Sequence, residues 1–236
     1  MIETSRGTIV SFHLTRYADL GAMRYMAFDR PVLKSTPGLL FWRLLGSGRG
    51  ASTSMGADLR RWAMLAVWRD ERALDRFLSD SPVAARWRSE ARESWQVRLT
   101  PLTSRGRWNG TAPFGPLPAS TPGIDPGGPV AVLTRASIRP SRLVAFYRSV
   151  PGVDRLLNEQ NGCLASVGVG EWPLARQGTF SLWRDAAAVR DFAHRGRAHR
   201  RVIGRTRAEN WYSEELFARF SPYASEGTWD GADPLA

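Results

Sequence analysis

Segments in which apolar and polar residues alternate recur along the chain and predict β-strands. TIVSFHLT places Ser11, His13 and Thr15 on one face of a strand and apolar residues on the other. The runs RWAMLAVW and GTFSLW are also β-rich, and each is followed by an aspartate, Asp70 or Asp185, that can cap a helix. The pattern therefore predicts strands that lead directly into helices.

Helical spacing of apolar residues marks the segments GAMRYMAFDRPVL and PSRLVAFYRSV, and Pro140 suits the first turn of the second helix. The segment 111–129 between them contains six prolines and four glycines, which predicts a linker. The expected domains are 1–110, the linker 111–129 and 130–236.

The two halves of the chain share a sequence pattern. AVWRDERALDRFLSD in the first half matches SLWRDAAAVRDFAHR in the second, so that Trp68 corresponds to Trp183 and Asp70 to Asp185 at a constant spacing of 115 residues. Gly46 in LLGSG corresponds to Gly170 in VGVG. This repetition predicts an internal duplication.

Each half is expected to run strand, helix, strand, strand, helix, strand. That order predicts an α+β fold of two tandem ferredoxin-like repeats, each with helices on one face of an antiparallel sheet. Two such units bring their open sheet faces together into a fused α+β barrel with a space between the sheets. His13 is expected to face that space, with a solvated or structural histidine as the alternative.

A formal net charge of +11 comes almost entirely from arginine, because Lys34 is the only lysine. The arginines are spread along the chain and no nucleic-acid motif is present, so we expect no nucleic-acid partner. The single cysteine, Cys163, excludes an internal disulfide. Without a signal peptide or a long apolar run, we expect a cytoplasmic protein, with attachment to a membrane surface through arginines left open.

The segment FAHRGRAHRRVIG contains two of the three histidines. Helical periodicity turns His194 toward water, whereas His199 shares a stripe with Val202, Ile203 and Thr206 and is predicted to point inward. An inward histidine on a helix is either a hydrogen-bonded core residue or a ligand.

Five segments together carry a family resemblance, and they are STPGLLFWRLLGSGRG, SRGRWNGTAPF, VAVLTRASIRP, GVGEWPLARQGTFSLWRD and ENWYSEELFARF. The chain resembles the spheroidene monooxygenase family of carotenoid ketolases from about residue 8 to 220. The resemblance implies a haem b oxygenase that oxidises a lipophilic acyclic carotenoid with O2 and electrons from a donor such as a ferredoxin. It also implies kinship with dimeric α+β barrel folds.

The resemblance also assigns site residues. The family carries a histidine within G-P-H on its second-half helix, and GRAH places His199 there as the expected iron ligand. The haem is expected at the inner face of the second-half sheet. Arg176 stands where the family often has histidine, which makes Arg176 a candidate distal catalytic residue. Apart from the resemblance, the strand position of His13 makes it a second catalytic candidate. Arg43 is a candidate propionate contact, and Trp183 is a candidate pocket residue whose alternative role is in the core.

Other functions fit the same pattern. A different haem reaction on this fold is one alternative, such as aldoxime dehydration, peroxidation or oxidation of a nitrogen-containing metabolite. A haem or ligand carrier without turnover is another, because a fold does not determine a function. The number of subunits is left open, a homo-oligomer included.

Overall fold

The computed structural model describes residues 8–48, 56–117, 127–148, 161–172, 176–195 and 209–236, with only the backbone at 172 and 193–195. None of the helices in these ranges has the length and apolarity needed to cross a bilayer.

The first half begins with strand β1 and ends with strand β4. Its elements are β1 (Ile9–Tyr17), α1 (Tyr25–Ser35), β2 (Leu39–Gly48), β3 (Ala57–Trp68), α2 (Glu71–Asp80), α3 (Pro82–Glu90) and β4 (Ala91–Gly106). A short 3-10 helix, Leu20–Arg24, precedes α1. The predicted cap of α2 is confirmed, because the Asp70 carboxylate accepts a hydrogen bond of 2.8 Å from the Ala73 N–H.

The described elements of the second half correspond to β1, α1, β2, β3, α2 and β4 of the first half. They are β5 (Val130–Ile138), α4 (described over 143–148), β6 (Cys163–Trp172), β7 (Arg176–Trp183), α5 (Ala186–Arg195) and β8 (Tyr212–Gly227). Asp185 accepts a hydrogen bond of 2.7 Å from the Ala188 N–H at the start of α5. The corresponding aspartates of the two halves therefore cap corresponding helices.

The eight strands form a closed antiparallel barrel in the order β1-β3-β2-β6-β7-β5-β8-β4. Taken separately, the halves have the orders β4-β1-β3-β2 and β8-β5-β7-β6, which match strand for strand. The halves join where β2 pairs with β6 and β4 with β8. Gly46 and Gly170, matched by the sequence pattern, are direct cross-strand partners. The predicted combination of helices with a barrel is thus confirmed.

Apolar side chains from both halves fill the barrel interior. Phe12 of β1 stacks on Phe180 of β7 with ring centroids 3.9 Å apart, and Leu99 and Leu133 belong to the same buried cluster. The expectation of a space between the two sheets is therefore wrong. The inward positions of the strands carry large apolar residues, and their side chains pack against each other across the barrel.

Each end of the barrel is closed by a tight turn that follows the last strand of a half. Trp108 donates a backbone hydrogen bond of 2.8 Å to Thr111, and Trp229 does the same to Ala232. Part of the predicted linker also belongs to the core, because Phe114 is buried with its ring 5.0 Å from that of Phe220. The chain that follows β4 thus packs into the barrel before it reaches the second half.

The helices cover the outer faces of the barrel. On the first half, the outward side chains Met64 and Trp68 of β3 pack with Leu74 and Phe77 of α2 in a second buried cluster. On the second half, a smaller cluster forms between β5, β7 and α5. Each half therefore has a separate layer between sheet and helix, in addition to the shared interior.

Candidate active site

His13 lies on the outer face of the first-half sheet, beneath α2 and α3. Its ring is 5.0 Å from the Trp87 ring and 6.5 Å from the Phe77 ring, and it is buried. The expectation that His13 faces the space between the sheets is therefore wrong. The apolar residues of β1 take the inward positions, so the polar residues of the strand are turned toward the helices.

A short hydrogen-bond chain surrounds His13. Trp68 Nε1 donates to Ser11 Oγ over 2.8 Å, and Ser11 Oγ lies 2.8 Å from His13 Nε2. The Ser11 hydroxyl therefore bonds to both rings, as an acceptor toward the indole. Burial, with a contribution from the charge of Arg98, lowers the pKa of His13 to about 3. The ring is consequently a neutral, hydrogen-bonded residue of the core.

Arg43 and Arg176 lie near each other at one end of the barrel. Arg43 Nε is 2.9 Å from a carboxylate oxygen of Glu171, and the Arg43 guanidinium lies 4.1 Å from the centre of the Phe41 ring. Burial lowers the pKa of Arg43 against the opposing effect of Glu171, and the charges of Arg135 and Arg176 lower it further. Arg176 itself is exposed at the start of β7.

Arg135 is the buried centre of this barrel end. It forms an ion pair with Glu214 of β8 and lies 3.4 Å from Glu171, and its guanidinium is 5.5 Å from the Trp108 ring. Glu214 also accepts backbone hydrogen bonds of 2.7 Å from Asn109 and Gly110 of the closing turn. The charged residues here hold the turn against the barrel.

Trp183 lies elsewhere, on the outer face of the second-half sheet. Its Nε1 donates to Ser181 Oγ over 2.9 Å, and its ring is 5.2 Å from that of Phe192 on α5. Val132 and Val189 complete this apolar face. Arg176 and Trp183 occupy opposite ends of β7, about 23 Å apart, and opposite faces of the strand.

The described candidates therefore do not form one site. Arg43 and Arg176 lie at the barrel end, Trp183 on the second-half outer face and His13 on the first-half outer face. The predictions of a haem at the inner face of the second-half sheet, and of Arg43, Arg176 and Trp183 around one haem, are therefore wrong. Apolar side chains fill the inner face, and Trp183 lies on the outer face. Sequence spacing did not show this, because alternation gives two faces of a strand without saying which is inside.

Sequence reasoning missed a group of arginines beside the Trp183 face. Arg219 of β8 lies over the ring of Phe217, 5.4 Å from its centre, and Arg105 of β4 lies 5.6 Å from it. Burial lowers the pKa of Arg219, and the charges of Arg190 on α5 and of Arg105 lower it further. Arg219 Nε is buried and has no acceptor among the described residues.

The described residues supply no iron ligand on this face. His199 lies outside the described ranges, and for His194 only the backbone within α5 is described. Burial raises the pKa of the Cys163 thiol to about 11, so the thiol stays protonated. Within the ranges that the structure covers, no group of three or more His, Cys, Asp and Glu residues could hold a metal ion.

The side chains of this face fit haem better than those of the barrel end do. Haem is a flat apolar macrocycle that carries two carboxylates. Trp183, Val132 and Phe217 form an apolar layer, and the half-buried Arg219 has a buried Nε without an acceptor among the described residues. At the barrel end, the Nε atoms of Arg43 and Arg135 are also buried without a hydrogen bond, but both guanidiniums form ion pairs with carboxylates, whereas Arg219 has no ion pair among the described residues.

Solved structures share this architecture. A crystal structure of aldoxime dehydratase superimposes with a TM-score of 0.61 at 15% identity, covering 94% of this chain and 83% of that chain. An aldoxime dehydratase in complex with butyraldoxime gives a TM-score of 0.59 at 13% identity, covering 98% and 85%. At such identities the likeness defines the class of fold, an antiparallel barrel with outer helices. No protein-family model matches the chain.

Three curated relatives are much more similar in sequence, and all are called spheroidene monooxygenase. The protein of Rhodobacter capsulatus is 38% identical over 89% of this chain and 87% of its own length. That of Rubrivivax gelatinosus is 37% identical over 89% and 79%, and that of Cereibacter sphaeroides is 37% identical over 84% and 60%. The chain belongs to the spheroidene monooxygenase family, a family of oxidoreductases.

Proposed function

We propose that this protein is a haem-dependent monooxygenase that oxidises an acyclic carotenoid in the cytoplasm, at a membrane surface. The observation that carries the proposal is the 38% identity to a spheroidene monooxygenase, which extends over both halves of the chain. In this proposal, the two halves are ferredoxin-like units of a fused dimeric α+β barrel. The matching strand orders of the halves support that interpretation.

The haem is proposed to lie on the outer face of the second half, with His199 as the protein ligand to iron. Bound there, haem would supply the iron centre that activates dioxygen. Trp183 and Phe217 would form an apolar wall that excludes water and accommodates a hydrocarbon chain. Arg219 would hold a haem carboxylate, because its buried Nε has no acceptor among the described residues.

The overall reaction would convert a methylene group of the carotenoid into a ketone. Each of two successive hydroxylations takes one O2 and two electrons with two protons, inserts one oxygen atom and releases one water. The resulting geminal diol then loses water to leave the carbonyl. The electrons would come from a ferredoxin-type donor protein.

The test combines a spectrum with product analysis. The protein, purified from haem-supplemented cells, is expected to show a reduced spectrum that shifts with carbon monoxide. With spheroidene in detergent, O2, a ferredoxin and its reductase, we expect a product in which one oxygen, labelled from ¹⁸O2, replaces two hydrogens. A haem-loaded protein that leaves the carotenoid unchanged but dehydrates an aldoxime would contradict the proposal. Protein that takes up no haem would exclude every haem function.

Arg219 provides a narrower test of the haem position. Arg219→Gln is expected to weaken haem binding severalfold, and Arg43→Gln at the barrel end is expected to leave it unchanged. Haem titration followed by absorbance measures both affinities. The reverse result would move the proposed haem from the second-half outer face to the barrel end.

A further inference from the structure

The segment Leu20–Lys34, made of the first 3-10 helix and most of α1, presents an apolar face to solvent. Leu20, Met23 and Phe28 are 51%, 46% and 64% exposed. Leu20, Met23, Ala27 and Pro31 recur every three or four positions, and Phe28 lies one turn before Pro31, so these residues share the solvent side of the helical segment. Such a row of exposed large apolar side chains indicates a surface that contacts something other than water.

The opposite side of the same segment is anchored to the protein. Ala22, Asp29 and Leu33 are buried, and Asp29 forms an ion pair with Arg86 of α3. The segment is therefore a folded surface element with a satisfied inner face. Its outer apolar residues are not needed for packing against the barrel.

Basic side chains flank the apolar row. Arg24, Arg30 and Lys34 are exposed on the segment. Two carboxylates lie nearby and keep their charges: Asp19 accepts a hydrogen bond from the Gly21 N–H over 2.7 Å, and Glu90 accepts one from Tyr25 over 2.5 Å. The three cations outnumber them. The face thus combines apolar side chains with an excess of positive charge, in a chain whose formal net charge is +11.

We propose that this face docks on an anionic lipid surface. Apolar side chains of an interfacial helix enter the boundary between headgroups and acyl chains, while Arg and Lys contact lipid phosphates. A second copy of the chain would bring like charges together, which disfavours a homodimer through this face. The inference deepens the proposed function, because docking would bring the protein to the membrane that dissolves a lipophilic substrate.

The experiment measures how the full chain binds to lipid vesicles, and it requires no catalytic turnover. Co-sedimentation compares vesicles of phosphatidylcholine with vesicles that also contain phosphatidylglycerol, and we expect binding only to the latter. Phe28→Ser is expected to raise, by about tenfold, the lipid concentration at which half of the protein is bound. Its control is Val144→Ser on α4, because Val144 is 65% exposed and Phe28 is 64% exposed. The control is expected to bind like the unaltered protein.

A second pair of variants tests the charges. Arg30→Gln combined with Lys34→Gln is expected to weaken binding more than tenfold, because each cation contributes about fivefold. Arg139→Gln combined with Arg148→Gln removes the same charge from exposed positions of the second half and is expected to have a smaller effect.

Three results would overturn the docking proposal. The first is equal binding to both kinds of vesicle, and the second is an equal loss of binding in variants and controls. The third is a dimer in light scattering that Phe28→Ser converts to a monomer without a change in vesicle binding. Because no step of this assay requires carotenoid oxidation, docking and the proposed function can each fail separately.

Discussion

Arg135 of β5 and Glu214 of β8, 79 residues apart in the sequence, form an ion pair inside one end of the barrel. The Arg135 side chain is 3% exposed and the Glu214 side chain 23%. Burial by itself would raise the pKa of Glu214, but hydrogen bonds from Gly110, Asn109 and Arg135 outweigh it and lower the pKa. The other end of the barrel has a more exposed ion pair, in which Arg16 donates a hydrogen bond of 2.8 Å to Asp230 of the second closing turn.

Removing the buried guanidinium should destabilise the whole barrel. Arg135→Met leaves Glu214 and Glu171 without their shared cation, and we expect the free energy of unfolding to fall by about 3 kcal/mol. Urea unfolding followed by tryptophan fluorescence measures the change. Arg184→Met removes an exposed partner of Asp185 and is expected to have a much smaller effect. Equal losses in the two variants would mean that the burial of the Arg135 pair is unimportant.

The neutral His13 predicts a pH-dependent stability. Burial lowers the pKa of His13 from 6.5 to about 3, so between these values the unfolded chain binds a proton that the folded protein excludes. This contribution to stability is complete above pH 6.5 and is lost as the pH falls toward 3. Between pH 7 and pH 5, it should reduce the free energy of unfolding by about 2 kcal/mol.

The variant His13→Gln isolates this contribution. Glutamine can donate or accept a hydrogen bond with Ser11 but does not titrate, so the difference between the free energies of unfolding in urea at pH 7 and at pH 5 should shrink by most of that amount. An unchanged difference would show that His13 is protonated in the folded protein or that other groups dominate.

Two glycines of the same barrel end differ in their surroundings. Gly106 has φ +89°, and a Cβ there would lie 2.1 Å from the backbone oxygen of Glu215 on β8. Gly110 has φ +76°, but a Cβ there would meet nothing within 4 Å. Gly110→Ala should therefore lower the free energy of unfolding by about 1 kcal/mol, because alanine disfavours the left-handed conformation. Gly106→Ala should lower the free energy of unfolding several times more, because β4 and β8 must separate locally to make room for the Cβ.

Thermal unfolding of the two glycine variants is the measurement. Similar melting temperatures would show that the close approach of β4 to β8 at Gly106 relaxes without loss of pairing.

The histidines of the second half give a direct test of the iron ligand. His199→Ala is expected to abolish haem uptake or to weaken it severely, and His194→Ala, five residues earlier, is expected to leave the haem content and spectrum unchanged. Haem content by the pyridine haemochrome method and the spectrum of the reduced protein measure the outcome. Normal haem in His199→Ala would refute the ligand assignment, and circular dichroism would identify a variant that fails to fold.

The element types and the helix caps could be predicted from local sequence. The alternation in TIVSFHLT defines β1, and Asp70 and Asp185 begin α2 and α5 as expected, because a cap depends on residues within one turn. The orientation of β1 could not be predicted. Both faces of that strand are covered by protein, so alternation alone did not decide whether His13 points into the barrel or toward the helices.

The predicted linker also shows what local sequence could not predict. Proline and glycine correctly indicate that 111–117 is neither helix nor strand, yet Phe114 within it is buried in the barrel core. Composition describes the backbone preference of a segment. The position of a single apolar side chain depends on the cavity that the strands leave at the barrel end.

The sequence by itself indicated the repeated pattern of the two halves, the order of strands and helices except α3, and the family, because these depend on residue identity and local spacing. Only the tertiary structure decided that apolar side chains fill the barrel and that Arg43 and Arg176 lie far from Trp183. It also revealed Arg219 beside the Trp183 face. These relationships arise when strands distant in the sequence close into one barrel, and which residues then share a surface depends on register and inward direction.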